Sequence, residues 1–228
     1  MNYKLHFVFL LLSLSHLGIR AQFNFQVGYA YSWSEFSKLN EIINNYNKLH
    51  PEFSKKMGSL NGLHGIILGL RYQYPHIALT GSWSNQINNK YSLSPPAGTS
   101  TVEIKQELFY KNQIFSLGLE SVTGMVSVGS TIDFRIFGIK GRHDFDEGKY
   151  NIMQVQEFGS NFYTQLDFPV SHRMALLLRL NYCFPWNGID LTALDKSLNP
   201  LSSPSIKNEK FNQFGISLIF SNGFQERY

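Results

Sequence analysis

The sequence predicts an all-β fold in which eight antiparallel strands form an up-and-down barrel. The first observation is a period of two. In residues 23–33, FNFQVGYAYSW, aromatic and branched side chains alternate with small or polar ones. This period is typical of a β-strand with two unlike faces. The second observation is that short and long connections alternate between such segments, which is typical of barrels with one short-turn end.

The same alternation recurs along the chain and predicts the other strands. It is present in residues 66–72, 77–83, 126–136, 158–168, 174–182 and 214–220. The short connections lie near Pro75, at ESVTG and at PVSH, and the long ones cover about 33–61, 85–101, 139–157 and 185–209. Both ends of the barrel domain therefore fall at the short-turn end.

The alternation changes phase between residues 102 and 121. Tyr110 belongs to an apolar set at even positions, whereas Leu117 belongs to one at odd positions. One long strand with a β-bulge near Lys111–Gln113 would exchange the two faces, because a bulge inserts an extra residue. A hairpin turn at Lys111-Asn112 would do the same. The first alternative gives eight strands and the second nine, and the connection lengths favour eight.

Residues 1–21 have the features of a secretory signal peptide, with cleavage expected after Ala21. The apolar run from Leu5 to Leu12 is shorter than the roughly 18 residues that a spanning helix needs. We therefore divide the chain into a signal peptide, residues 1–21, and a barrel domain, residues 22–228.

Charge and cysteine content restrict the class of protein further. The full chain has a formal charge of +4, which falls to +2 without Lys4 and Arg20, so we expect no nucleic-acid partner. Cys183 is the only cysteine, so no intrachain disulfide can form. A closed barrel is one way to stabilise an exported chain of this kind.

Side-chain volume indicates which face of each strand is inside. An eight-stranded barrel is only wide enough for side chains to fill it, and eight rows of aromatic and branched residues would overfill it. We therefore expect the small and polar rows inside and the aromatic rows, such as Phe23 to Trp33, against lipid. The predicted fold is thus a transmembrane β-barrel with short periplasmic turns and longer outer loops.

The inward rows carry charges that we expect to form a structural polar network in the lumen. These residues are Arg71, Asp133, Arg135, Asp167 and Arg179. Three arginines against two aspartates leave one positive charge over, and Glu103, Lys105 or Glu107 could join the network. The alternative is that these side chains line a small selective channel.

The chain resembles the small eight-stranded outer-membrane proteins of the OmpA/OmpX-like barrel type. The AQ at the end of the leader and the loops rich in Asn, Ile and Lys resemble barrel proteins of Bacteroidota, including the PorT-like group. The resemblance covers residues 22–228 and rests on strand pattern and topology. It implies location in the bacterial outer membrane.

Two long outer loops are candidates for contact with a protein partner. In the loop 33–61 we expect a short helix, with a capping box at Ser32 and Glu35 and an apolar face that includes Phe36, Leu39, Ile43 and Tyr46. This helix could cap the barrel mouth, lie on the membrane, meet a partner or pack on the rim. The loop 185–209 is also unusually apolar, and exposed apolar surface often marks a partner site.

The sequence favours a non-enzymatic protein without cofactor or metal. It has no G-x-S-x-G motif, and only His64, near the outer end of a strand, could act as a base on an outer-leaflet lipid. His143, Asp144, Asp146 and Glu147 could hold a hard cation, but their spacing does not match an EF-hand loop, and the sequence favours a solvated outer loop. We expect an envelope structural protein or an accessory subunit of a secretion or assembly complex. The alternatives are a small channel and a lipid-A-modifying enzyme.

Overall fold

The computed structural model describes residues 22–95, 103–143, 148–171, 174–200 and 208–222. Eight long strands are β1 Gln22–Ser34, β2 Gly62–Tyr74, β3 Ile77–Ser94, β4 Ile104–Thr123, β5 Val126–His143, β6 Tyr150–Ser171, β7 Met174–Pro185 and β10 Gln213–Asn222. They form a closed barrel in the ring order β1-β10-β7-β6-β5-β4-β3-β2. The predicted signal peptide lies outside the described residues and stays a prediction.

Every pair of neighbouring barrel strands is antiparallel, and pairing between β1 and β10 closes the ring. The predicted eight-stranded up-and-down barrel is therefore confirmed. Closure pairs both edges of every strand at the level where all eight strands overlap. One short connection is the tight turn after β4, where Gly124 adopts a positive φ of 58° that a residue with a Cβ rarely adopts.

The two faces of each strand are those that the alternation predicts. In β1, Phe23, Phe25 and Val27 are exposed on the outside, whereas Asn24 and Gln26 are buried inside. The outward rows of the other strands are likewise rich in exposed Leu, Ile, Val, Phe, Tyr and Trp. The barrel therefore has an apolar outside and a largely polar inside at its short-turn end.

Strand β4 is one continuous strand, and the predicted bulge is wrong. Its pairing with β3 and β5 has no register shift, and Ile87, Lys111 and Gly138 lie side by side. Leu108 and Tyr110 are buried inside the barrel, whereas Leu117 is exposed outside. The phase of the apolar pattern changes because the interior itself changes from polar to apolar along this strand.

Strands β3 to β6 extend well beyond the other four and form what we call the tall wall. β3 continues to Ser94, β5 continues to His143, and β6 begins at Tyr150. The predicted long loops 85–101 and 139–157 are consequently too long. In residues 85–94 most side chains are polar, and in 150–157 the apolar Ile152, Met153 and Val155 do not alternate regularly with polar residues, so the pattern stops although the strand hydrogen bonding continues.

Two long loops fold into the open end of the barrel and close it. The first contains helix α1, Ser37–Leu49, and the second contains helix α2, Thr192–Leu198, flanked by the paired short strands β8, Ile189–Asp190, and β9, Asn208–Glu209. Neither helix, nor any other in the described part of the chain, is long and apolar enough to cross a membrane.

An apolar cluster, which we call the plug core, joins these loops to the inner wall. The loops contribute Phe36, Leu39, Ile42, Ile43, Tyr46, Met57, Leu60, Ile189, Leu191, Leu194, Leu198 and Phe211. The wall contributes Leu63, Leu108, Tyr110, Phe137, Ile139 and Met153. The predicted apolar face of α1 is therefore buried, and the helix caps the barrel mouth.

Helix α1 begins differently from the prediction. Ser32 and Glu35 do not form a capping box, because β1 continues to Ser34 and the helix starts at Ser37 without a local side-chain cap. Instead, the Glu209 carboxylate accepts hydrogen bonds from the backbone N–H groups of Lys38 at 2.7 Å and Leu39 at 3.1 Å. A carboxylate there satisfies open donors and complements the positive end of the helix dipole.

Candidate functional site: the barrel interior

The structure places all five predicted lumen residues inside the barrel. Arg71, Asp133, Arg135, Asp167 and Arg179 are between 1% and 8% exposed. Two further charged residues, Glu120 and Glu157, share the interior and were missed in the sequence. Both lie near segment ends, where the sequence alone indicated a turn and a loop.

Arg71 is the centre of an ion-pair network near the short-turn end. Its guanidinium forms salt bridges with Glu120 and with Asp167, the latter at 3.1 Å, and donates to the Ser127 hydroxyl at 3.2 Å. Both carboxylates are buried. Because buried charges are costly unless they are paired, each member of this network depends on the others.

Gln165 extends this network to a second arginine. Its amide donates to Asp167 at 2.7 Å, and its carbonyl oxygen accepts two hydrogen bonds from Arg179, at 2.7 and 3.0 Å. The Arg179 guanidinium also lies 4.3 Å from the centroid of the Tyr163 ring. The Tyr163 hydroxyl in turn donates to Glu120 at 3.1 Å, so the contacts form a closed circuit across the lumen.

A glycine provides the space that Tyr163 occupies. Gly129 faces Tyr163 across the β5–β6 pair, and a Cβ at Gly129 would overlap the tyrosine ring. A small residue on the inward row of β5 therefore makes room for a large residue on the inward row of β6. This pairing is how rows of small residues still fill the barrel.

A second charged group lies nearer the plug core. Arg135 and Glu157 are direct cross-strand partners, with Nη1 and Oε1 3.0 Å apart. The N–H is not aligned as a hydrogen bond, so this contact is electrostatic. Asp133 lies one inward position away and accepts a hydrogen bond from the Thr131 hydroxyl at 2.6 Å.

The charge balance of the interior differs from the expected surplus of one positive charge. With Glu120 and Glu157 included, three arginines face four carboxylates in the described interior. Glu103, Lys105 and Glu107 do not join them. Glu107 forms salt bridges with Lys105 and Arg142 on the outside of the tall wall, and Glu103 accepts a hydrogen bond from Ser54.

The residues proposed for catalysis or metal binding are not brought together in the part of the chain that the structure describes. His64 lies on an outward row, where Nδ1 is 2.5 Å from the Tyr29 hydroxyl. His143 contacts Tyr150, and Asp144, Asp146 and Glu147 lie outside the described residues. No group of three potential metal ligands occurs among the described residues.

Comparison with known proteins returned solved structures of small barrels. No protein-family model and no curated protein matches the chain. The chain is similar to Ail, the attachment invasion locus protein of Yersinia pestis solved with the heparin analogue sucrose octasulfate, at 11% identity and a TM-score of 0.45, over 90% of this chain and 98% of Ail. It is similar to Neisserial surface protein A at 12% identity and a TM-score of 0.39, over 90% of this chain and 99% of that protein. It is also similar to the outer membrane protein OprG from Pseudomonas aeruginosa at 8% identity and a TM-score of 0.45, over 91% of this chain and 98% of OprG.

Proposed function

We propose that this chain is an integral protein of the bacterial outer membrane with a closed interior, serving as an envelope structural protein or an accessory subunit of a membrane assembly. The observation that carries the proposal is inverted polarity. Exposed Phe, Leu, Ile, Val and Trp cover the outside, whereas paired charges fill the inside. The proposal includes membership of the Bacteroidota PorT-like barrels, which the sequence resembles.

The dimensions of the apolar belt support a membrane location. The outward apolar rows run from Phe23 to Trp33 in β1 and from Met174 to Phe184 in β7. Crossing a bilayer requires about 9–11 residues of tilted strand. A closed barrel is also the β structure that satisfies every backbone hydrogen-bonding group in hydrocarbon. A water-soluble protein seldom exposes an apolar patch of this extent.

The filled interior favours a structural role over conduction. The Arg71 network crosses the lumen near the short-turn end, and the plug core occupies the other end. An ion would have to displace both a buried salt-bridge network and a packed apolar cluster. A channel in this barrel would therefore need a different arrangement of the two loops.

A substitution at the middle of the belt tests the membrane location. Leu117, 63% exposed on β4, should tolerate arginine in a soluble barrel. In a bilayer, Leu117→Arg should lower the free energy of unfolding by about 2–4 kcal/mol, and Ser121→Arg at the belt edge by about 0–1 kcal/mol. Urea titration of both variants in phosphatidylcholine vesicles measures this difference. Equal, small effects of both substitutions would argue against the membrane location.

A partner would meet the outer surface of the loops 33–61 and 185–209, whose apolar side chains are buried in the plug core. The exposed side of these loops carries polar residues such as Glu41, Lys48 and Lys196. We expect native protein purified from detergent-solubilised outer membranes to retain a stoichiometric partner, identified by mass spectrometry. Recovery of the protein alone would favour the envelope structural role over the accessory-subunit role.

A further inference from the structure

The outside of the tall wall has a groove of about 620 Å³. Neither the polar network nor the plug core gives this groove a role. Lys111, Lys140 and Lys149 line it, together with amide side chains that include Gln113 and Gln154. The described residues of its lining include no aspartate or glutamate. The groove is therefore a concave surface with positive charge and several hydrogen-bond donors.

The floor of the groove exists because Gly138 has no side chain. Gly138 pairs with Lys111 on one side and with Gln154 on the other. A Cβ added at Gly138 would meet only the carbonyl oxygen of Met153, at 3.6 Å, which is an ordinary contact. A Cβ therefore fits at this position without strain, and a larger side chain built on it would project into the groove.

Two other cations of the tall wall share one carboxylate partner, whereas no described carboxylate pairs with the three lysines of the groove. Arg142 and Lys105 form salt bridges with Glu107. Within the described residues, Lys111, Lys140 and Lys149 form no ion pair, and the Lys149 ammonium lies 3.5 Å from the Phe109 ring centroid.

The groove begins where the apolar belt ends on the loop side of the barrel. Along the outward row of β4, Leu117 and Phe115 are followed by Gln113 and Lys111. On β5, Ile136 is followed at the next outward positions by Gly138 and Lys140. A lipid whose chains lie along the apolar rows would therefore hold its headgroup at the lysines.

We propose that this groove binds the phosphate-bearing headgroup of a lipid in the outer leaflet. The inference rests on the proposed membrane location. The three ammonium groups supply charge to a phosphate, and the neighbouring amides can donate to its oxygens or to sugar hydroxyls. Such a site would anchor the tall wall to the lipid surface and orient the barrel in the membrane.

Native mass spectrometry of the full-length mature chain, folded in detergent, tests the proposal with dioleoyl phosphatidate against dioleoyl phosphatidylcholine. We expect phosphatidate to bind about tenfold more tightly, since three exposed ion pairs contribute a modest amount each. The K111Q/K140Q/K149Q variant should bind the two lipids equally. Gly138→Trp should also abolish the preference although it changes no charge.

The control removes equal charge from exposed lysines of the plug loops, in K48Q/K56Q/K196Q, and should keep the preference. Equal binding of both lipids by the unmodified chain would overturn the inference, as would an equal loss in the control or a preference that survives Gly138→Trp. Insertion into phosphatidylcholine vesicles is scored separately. Insertion without phosphatidate preference rejects the groove alone, whereas failure to insert rejects the membrane location.

Discussion

Replacing Arg71 by methionine should lower the free energy of unfolding by about 3–5 kcal/mol, because it leaves two buried carboxylates without their cation. Arg71 pairs with both Glu120 and Asp167, and all three side chains are at most 6% exposed. The remaining contacts, from Tyr163 to Glu120 and from Gln165 to Asp167, are neutral hydrogen bonds that cannot balance two charges. Urea titration of barrels folded in vesicles measures the loss.

Two variants separate the loss of ion pairing from the loss of side-chain volume. Arg142→Met removes an arginine whose partner Glu107 keeps a second cation, Lys105, so its effect should stay within about 1 kcal/mol. The triple variant R71M/E120Q/D167N removes the two charges with the cation and should recover most of the stability. If the triple variant were as unstable as Arg71→Met alone, the network would not be held by charge pairing.

The second large effect is expected in the plug core, where Leu39→Ala should destabilise the closed position of α1 by about 2–5 kcal/mol. Leu39 is fully buried among the side chains of the plug core. Alanine is a better helix former than leucine, so any loss comes from packing and not from helix propensity. Hydrogen exchange of the α1 amides should accelerate, since exchange reports local opening.

Leu49→Ala is the matched control, because Leu49 lies in the same helix but is 56% exposed. In the Leu49→Ala variant, the amide hydrogens of α1 should exchange at the rate of the unmodified chain. Unchanged exchange in Leu39→Ala would mean that α1 is not held by the plug core.

Most of the barrel exterior could be predicted from the sequence because it depends on local alternation. Each outward row, such as Phe23 to Trp33, is distinguished from its inward neighbours by residues two positions apart. The count of eight strands also required the order of short and long connections, because the alternation alone allowed eight or nine. The signal peptide and the precise role stay predictions.

The prediction was wrong where the interior changes character along the barrel. The buried apolar Leu108 and Tyr110 on β4 give the same pattern as outward residues displaced by a bulge, so alternation cannot distinguish the two. Glu120 and Glu157 lie at positions that the pattern assigned to a turn and a loop. Neither error could be corrected without knowing what opposes each inward side chain.

From the sequence alone we could predict the strand count, which connections are short, and that the arginines of the lumen lie on the inward faces of their strands. Only the tertiary structure decided which side chains meet inside. Arg71 and Asp167 are far apart in the chain, as are Glu209 and the start of α1. The physical reason is closure. A strand's outward face requires only an apolar surface, whereas its inward face must match distant residues that curvature brings across the lumen.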